Sequence, residues 1–305
     1  MEFKDEVVVS EETDLRLDAY SLQRFPHLGS RSQAKKQIKK GLIRLNGKHV
    51  EPSRRPATGD LVSICSEAPR ISPLKKRLDI LHLDDDIAIV CKPAGIYTSG
   101  NHKQTLRRAL LYNIPHTKSL DALPNPEPCH RLDRRVSGLV ICARTRSALT
   151  EINRQFKQGE VQKKYYGIAL GDISDGECNL RIEGKISHTA WRKIECRPSR
   201  LAGQLTLLEI IPTTGRTHQI RRHLAESNHP LLGDDLYHDG RIRRGKGLFL
   251  TSAAVSFVHP KTKSMMNVSI PVPEKFIRTM TREQSRFDRL NNDSQHQHME
   301  ESKDY

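Results

Sequence analysis

CHRLDRRVSGLVI, residues 129–141, places His130, Arg131 and Asp133 ahead of a Ser137-Gly138 turn and an apolar strand. A carboxylate between basic residues at the mouth of a buried strand is either a turn residue or a reactive group. The surrounding chain sets the context. From Asp79 onward, short apolar segments alternate irregularly with amphipathic ones. DILHL and IAIVC flank an Asp84-Asp85-Asp86 turn. LRRALLYN and SALTEINRQF have helical spacing, with Leu149, Ile152 and Phe156 on one face and Gly159 as a stop. VQKKYYGIAL, QLTLLEII and FLTSAAVSFV read as strands. Because strands and helices do not alternate strictly, the expected fold class is α+β. A mixed or antiparallel central sheet with flanking helices fits better than a doubly wound one.

A second unit is expected toward the N-terminus, over residues 13–67. Leu15, Ala19 and Leu22 sit at helical spacing, and Ser30 with Gln33 forms a capping box for a second helix, RSQAKKQIKK, stopped at Gly41. LIRL, an Asn46-Gly47 turn and KHV read as a hairpin, and Thr58-Gly59-Asp60 turns into a last strand, LVSI. Residues 1–12 are expected to be a flexible acidic lead, 68–78 a linker, and 281–305 a disordered polar tail.

The 305-residue chain carries a formal charge of +15, which calls for a polyanionic partner. Between Arg24 and Arg55 stand ten Lys/Arg and a single acid, Glu51, so this stretch of the smaller unit is strongly basic. Arg31, Lys35, Lys36, Lys39 and Lys40 surround the polar side of the second helix, with Ala34 and Ile38 inward. A solvated helix face usually mixes both signs; one sign alone favours contact with RNA phosphates. No apolar run approaches the roughly 20 residues that span a bilayer, and no lipidation signal is seen. The opening MEFKDEVVVSEETD resembles no signal or transit peptide. The six cysteines form no C-x-x-C pair. A cytoplasmic protein with reduced thiols and no membrane partner is expected.

Other chemistries fit poorly. His130 and Asp133, or His218, His223 and His229, have ligand chemistry, but no H-E-x-x-H pattern is present. No metal is therefore expected. A hydrolase triad through Ser137 lacks a G-x-S-x-G elbow, and P-loop and dinucleotide fingerprints are absent.

The segment order of residues 15–64 resembles the RNA-binding fold of ribosomal protein S-four. Further on, KPAG (92–95), HRLD-x-x-x-SGL (130–139), K-x-Y (163–165), GRTHQIR-x-HL (215–224), HPLLGDDLY (229–237) and FVHPKT (257–262) with PVP (271–273) resemble the motifs of RluA-type RNA pseudouridine synthases. The resemblance covers about residues 79–275 in the family's order and implies a catalytic domain over 79–280. It also implies isomerisation of uridine in RNA without a metal or cofactor. Asp133 matches the obligatory aspartate, acting as nucleophile at the anomeric carbon or as acceptor of a sugar proton. A lone carboxylate suits a reaction whose leaving base must be retained, since a glycoside hydrolase typically needs two.

The same resemblance implies that Arg216 pairs with Asp133, favouring the carboxylate form, and that Tyr165 stacks on the flipped uracil, with Tyr166 as the alternative on the opposite face. Arg131 would fill the gap left by the flipped nucleotide, or make a structural salt bridge. Arg221 and Arg222 could touch phosphate. Lys92, Pro93, His130, His218 and Gln219 read as scaffold. Two departures stand out: Val136 replaces the family's usual threonine, and Thr251 stands where a histidine is common.

Large-subunit ribosomal RNA is the expected target and transfer RNA the next, for a monomeric enzyme. A non-catalytic RNA-binding or ribosome-assembly factor on the same scaffold is the alternative, and a base-releasing hydrolase a weaker one.

Overall fold

The structure is a computed structural model that describes residues 3–25, 28, 30–65, 72–238 and 247–301. Residues 66–71, which include the start of the expected linker, lie outside the described ones, as do 302–305 of the expected tail. The chain divides into two compact units, residues 1–72 and 73–305.

The smaller unit holds β1 (Phe3–Val8), α1 (Leu17–Arg24), α2 (Arg31–Lys39), β2 (Ile43–Leu45) and β3 (Leu61–Cys65). The strands form one sheet in the order β1-β3-β2. Leu17, Tyr20, Ala34, Ile38, Ile43 and Val62 meet in its core. The Ser30 hydroxyl caps α2 by accepting from Gln33 N at 3.2 Å, and Ala34 and Ile38 are its buried residues.

Two local expectations fail here. Part of the lead expected to be flexible is a strand, because β3 offers β1 an open edge and Val9 is buried behind it. The Asn46-Gly47 turn is present, with positive φ at both residues, and Leu45 pairs with Lys48 across it, but His49 and Val50 do not extend the hairpin. β3 pairs with β2 instead, and the Asn46 amide is tied to that strand by accepting from Leu61 N at 2.7 Å.

The larger unit contains β4 (Asp79–Leu83), β5 (Ile87–Lys92), α3 (Leu106–Asn113), β6 (Ala122–Pro128), β7 (Ser137–Thr145), α4 (Arg146–Gln158), β8 (Gln162–Leu170), β9 (Gly176–Cys178), β10 (Thr189–Ser199), β11 (Gly203–Pro212), α5 (Gln219–Glu226), β12 (Leu250–Val258), β13 (Met265–Ser269) and α6 (Glu274–Glu301). One ten-stranded sheet runs β4-β5-β7-β12-β8-β11-β10-β9, with β13 on β12 and β6 on β7. Its described ladders are antiparallel except for β7 with β12. This is the α+β mixed sheet that the sequence implies.

Residues 73–78 are not a free linker: Leu78 is buried, and Asn113 of α3 holds both Lys76 O and Leu78 N. The tail expected to be disordered begins within α6, a helix that continues to Glu301. Phe276 and Met280 pack into the core and Glu283 bonds Ser199 of β10.

The β7–β12 pair positions the site. Gly138 has φ +115°, and a Cβ there would lie 2.2 Å from Ser252 O. Only glycine lets the two backbones meet so closely. The next pairing, Ser252 with Tyr165 on β8, places Tyr165 beside the start of β7.

Candidate active site

Asp133 stands in the short loop between β6 and β7, and that loop is held from beneath. The Thr98 hydroxyl accepts from Leu132 N at 3.0 Å and donates to Leu132 O at 2.9 Å. Gly95 N donates to Arg134 O at 2.7 Å, and Arg134 Nε returns a bond to Gly95 O. Lys92, fully buried, folds the KPAG turn by donating to Pro93 O and Ile96 O. Burial pulls its pKa down to about 8. His130 accepts from Ile141 N through Nε2 at 3.0 Å. Burial, with Lys163 nearby, lowers it to about 3, so the ring is neutral.

A second wall comes from the turn before α5 and from α5 itself. Gln219, buried, accepts from Arg216 N and from the Thr214 hydroxyl, and donates to His188 O and to the Thr189 hydroxyl. Together these segments enclose a cavity of about 290 Å³. That is near the lower end of the roughly 300–1,000 Å³ range of ligand sites. Asp133, Tyr165, Arg131, Arg216 and Arg221 all line it, along with Lys163 and His218. Asp133 is the only carboxylate among the described lining residues.

Tyr165 is buried, and its phenol is pushed up to about 12 by burial and by the Asp133 charge. It therefore presents a neutral ring to the cavity. Tyr166 points to the other side of the sheet, packing beside Phe249 and Leu232, which removes it as the stacking alternative. Lys163 donates to Thr214 O at 3.3 Å, and burial lowers its pKa.

The arginine assignment needs correction. Arg216 does not pair with Asp133: it precedes the helix, and its Nε donates to Ile186 O at 3.1 Å. Arg221, one turn into α5, brings Nη1 to 3.6 Å from Asp133 Oδ2. The phosphate contact expected of Arg221 is also excluded, because its side chain is only 4% exposed. Its other two nitrogens bond Asp234 bidentately at 2.7 Å each. Burial alone would raise the Asp234 carboxyl, but the Arg221 fork overrides it and holds the group below its ordinary range. Arg222 faces outward, with Nε 2.9 Å from the Tyr237 hydroxyl.

Arg131 is exposed at the cavity rim. Val136 is buried in its wall, and Thr251 bonds Ser137 at 3.2 Å between the parallel strands. Lys35, Lys36, Lys39 and Lys40 are exposed on and just after α2 in the other unit, and Arg31, also exposed, reaches Asp18 at 3.1 Å.

Sequence reasoning placed His218 in the scaffold, although it faces Asp133 Oδ2 at 3.6 Å. It gave Asp234 and Tyr237 no role. Their signal was present, since both lie in HPLLGDDLY, but the pairing of that segment with α5 is a tertiary contact. Arg135 adds to it by bonding Asp235 and Gly233 O.

Away from the cavity, His82, Asp84 and His259 converge with metal-ligand chemistry. Asp84 Oδ2 takes His82 at 2.6 Å and His259 at 3.0 Å. His259 Nδ1 accepts from Lys261 N and Thr262 N, so its proton sits on Nε2, the atom a metal would need. The cluster is a clip between the β4–β5 and β12–β13 turns.

The sequence profile described as RNA pseudouridylate synthase matches residues 86–226, spanning the Asp133 loop, β8 and α5. The chain is 33% identical to an uncharacterized RNA pseudouridine synthase of Aquifex aeolicus, over 86% of this chain and 91% of that protein. The chain belongs to the RluA-type RNA pseudouridine synthase family. Ribosomal large subunit pseudouridine synthase C of Vibrio vulnificus is 32% identical, covering 78% of this chain and 83% of the relative. Synthase D of Xylella fastidiosa is 33% identical over 85% and 86%. An S4 domain profile matches residues 27–62. The solved structure of human RNA pseudouridylate synthase domain containing 4 shares the family fold, with TM-score 0.54 at 21% identity over 67% of this chain and 92% of that one.

Proposed function

We propose that this family member isomerises uridine to pseudouridine in structured RNA, with large-subunit ribosomal RNA as its target and Asp133 as the reacting carboxylate. The observation that carries the proposal is a lone carboxylate in a nucleoside-sized cavity, set against Arg221 and opposite the neutral ring of Tyr165. A cavity of this size takes a single extruded nucleotide rather than a duplex. Asp133 acts on its ribose, either at the anomeric carbon or at the neighbouring hydrogen. The bond from that carbon to uracil N1 breaks, the base turns against Tyr165, and a bond to C5 forms. The C5 hydrogen leaves as a proton and N1 gains one, so atoms balance without a cofactor. Stacking tolerates rotation of a ring in its plane, which suits a base that must be gripped and turned.

A second acid that could activate water is missing from the described lining, which speaks against the hydrolase alternative. Relatives named as large-subunit synthases C and D support the ribosomal target over transfer RNA. The exposed lysines of α2 carry the backbone contacts, with Arg131 occupying the gap left by the flipped nucleotide. In this reading the protein works as a cytoplasmic monomer.

The test is chemical mapping of pseudouridine in RNA from cells lacking the protein, rescued with wild type or Asp133→Ala. A site lost in the null strain and restored only by wild type supports the enzyme. An unchanged map refutes it for cellular RNA, in favour of the assembly-factor alternative.

A further inference from the structure

Both described partners of Asp133, His218 Nε2 and Arg221 Nη1, approach the same oxygen, Oδ2, each at 3.6 Å. No hydrogen bond or ion pair reaches Oδ1 among the described residues. His218 is held from its other side: Nδ1 lies 2.9 Å from the Tyr237 hydroxyl, and that oxygen is 2.9 Å from Arg222 Nε.

The direction of this chain follows from its end. A guanidinium can only donate. Tyr237 therefore accepts from Arg222, and its own hydrogen is free to go to His218 Nδ1. A neutral imidazole that accepts at Nδ1 carries its proton on Nε2. The reverse arrangement has two defects. The phenol hydrogen then has no acceptor among the described residues, and a bare Nε2 lone pair faces a carboxylate oxygen. Burial lowers the His218 pKa, and Arg221 and Arg222 add to the effect against the pull of Asp133 and Asp234, which favours the neutral ring.

We propose that Arg222, Tyr237 and His218 form a directed hydrogen-bond chain that presents His218 Nε2–H to Asp133 Oδ2 and so assigns Oδ1 to the ribose. His218 is on this account a positioning residue, as is Tyr237. Arg221 holds Oδ2 with charge, and His218 fixes the rotation of the carboxylate about its own axis. A contact of 3.6 Å is long for a hydrogen bond, but such contacts commonly tighten only when substrate is bound. The backbone supports the assignment: His218 has φ +55° at the N-terminus of α5. That left-handed conformation is unusual for a non-glycine residue and is retained chiefly where surrounding structure demands it.

The proposal rests on Asp133 being the reacting group, and the experiment separates the two. Turnover is measured on ribosomal RNA transcript with full-length wild type, Asp133→Asn, His218→Ala, His218→Gln, Tyr237→Phe and the His218→Gln/Tyr237→Phe double variant. Gln places an amide N–H where Nε2–H was and has no tautomer to fix. Expected are a kcat lowered about tenfold or more by His218→Ala with KM little changed, and recovery to within about threefold of wild type by His218→Gln. Tyr237→Phe should lower kcat severalfold alone and add nothing in the Gln background. Nitrogen NMR of ring-labelled histidine should show His218 protonated on Nε2 in wild type and as a tautomer mixture in Tyr237→Phe.

Independent effects of the two substitutions, no rescue by Gln, or a proton on Nδ1 in wild type would each overturn the chain while leaving Asp133 in place. An active Asp133→Asn would instead remove the reading beneath it.

Discussion

Arg221 faces Asp133 at 3.6 Å while its remaining nitrogens are locked on Asp234, so the charge beside the reacting carboxylate is itself immobilised. Arg221→Gln should leave a buried Asp234 without its counter-charge and cost both stability and turnover. Breaking such a pair destabilises by roughly 3–5 kcal/mol. The swap Asp234→Asn keeps the packing and loosens the fork, and should lower kcat by about tenfold or more at little cost in RNA affinity. Arg216→Gln, at the rim, should affect RNA binding more than kcat. Equal kcat losses at Arg216 and Arg221 would contradict the pairing of Arg221, and not Arg216, with Asp133.

His130 couples the site to pH. Its pKa falls to about 3 from the model-peptide value of 6.5. The folded state therefore binds fewer protons than the unfolded one in that window. The stability His130 contributes is complete above about pH 6.5 and is lost as pH falls toward 3. His130→Gln keeps an acceptor for Ile141 N without the titration. Urea midpoints measured across this range should fall less steeply for the variant than for wild type; parallel curves would exclude the effect.

Gly138→Ala tests the close approach that builds the site. The new methyl would sit 2.2 Å from Ser252 O, at a φ of +115°. A loss of roughly 3 kcal/mol or more is expected, read by thermal or denaturant unfolding. A variant as stable as wild type would mean that β7 and β12 can separate cheaply.

Much of this was legible in the sequence, and the reasons differ by element. The strand runs IAIVC and VQKKYYGIAL read correctly because their apolar residues are buried on both faces or by alternation. SALTEINRQF read correctly because Gly159 caps it in the left-handed conformation. The motif resemblance singled out Asp133 and Tyr165, and both line one cavity. What failed depended on partners distant in the chain. β1 pairs because β3 has an edge to offer, and α6 docks through Phe276 and Met280 in the core and Glu283 on Ser199 of β10. The choice between Arg216 and Arg221 depends on where a helix begins, and His218, in its left-handed conformation, delays that start to Gln219. No spacing rule in GRTHQIR reveals that phase.

The basic helix makes a separate claim. Lys35, Lys36 and Lys39 are exposed on α2 with no acidic residue in its first turn. Replacing all three by Ala should weaken RNA binding and reduce the magnitude of the salt slope by about 2. An unchanged slope would place RNA contact elsewhere.

At the centre of the account, Asp133 reacts with the ribose of an extruded uridine whose base is kept. Purified protein incubated with ribosomal RNA transcript labelled with tritium at uracil C5 reads this directly. Wild type should release tritium while the RNA retains every base, and Asp133→Asn should release none above background. Tritium release by Asp133→Asn at the wild-type rate, or free uracil in the wild-type reaction, would contradict the account.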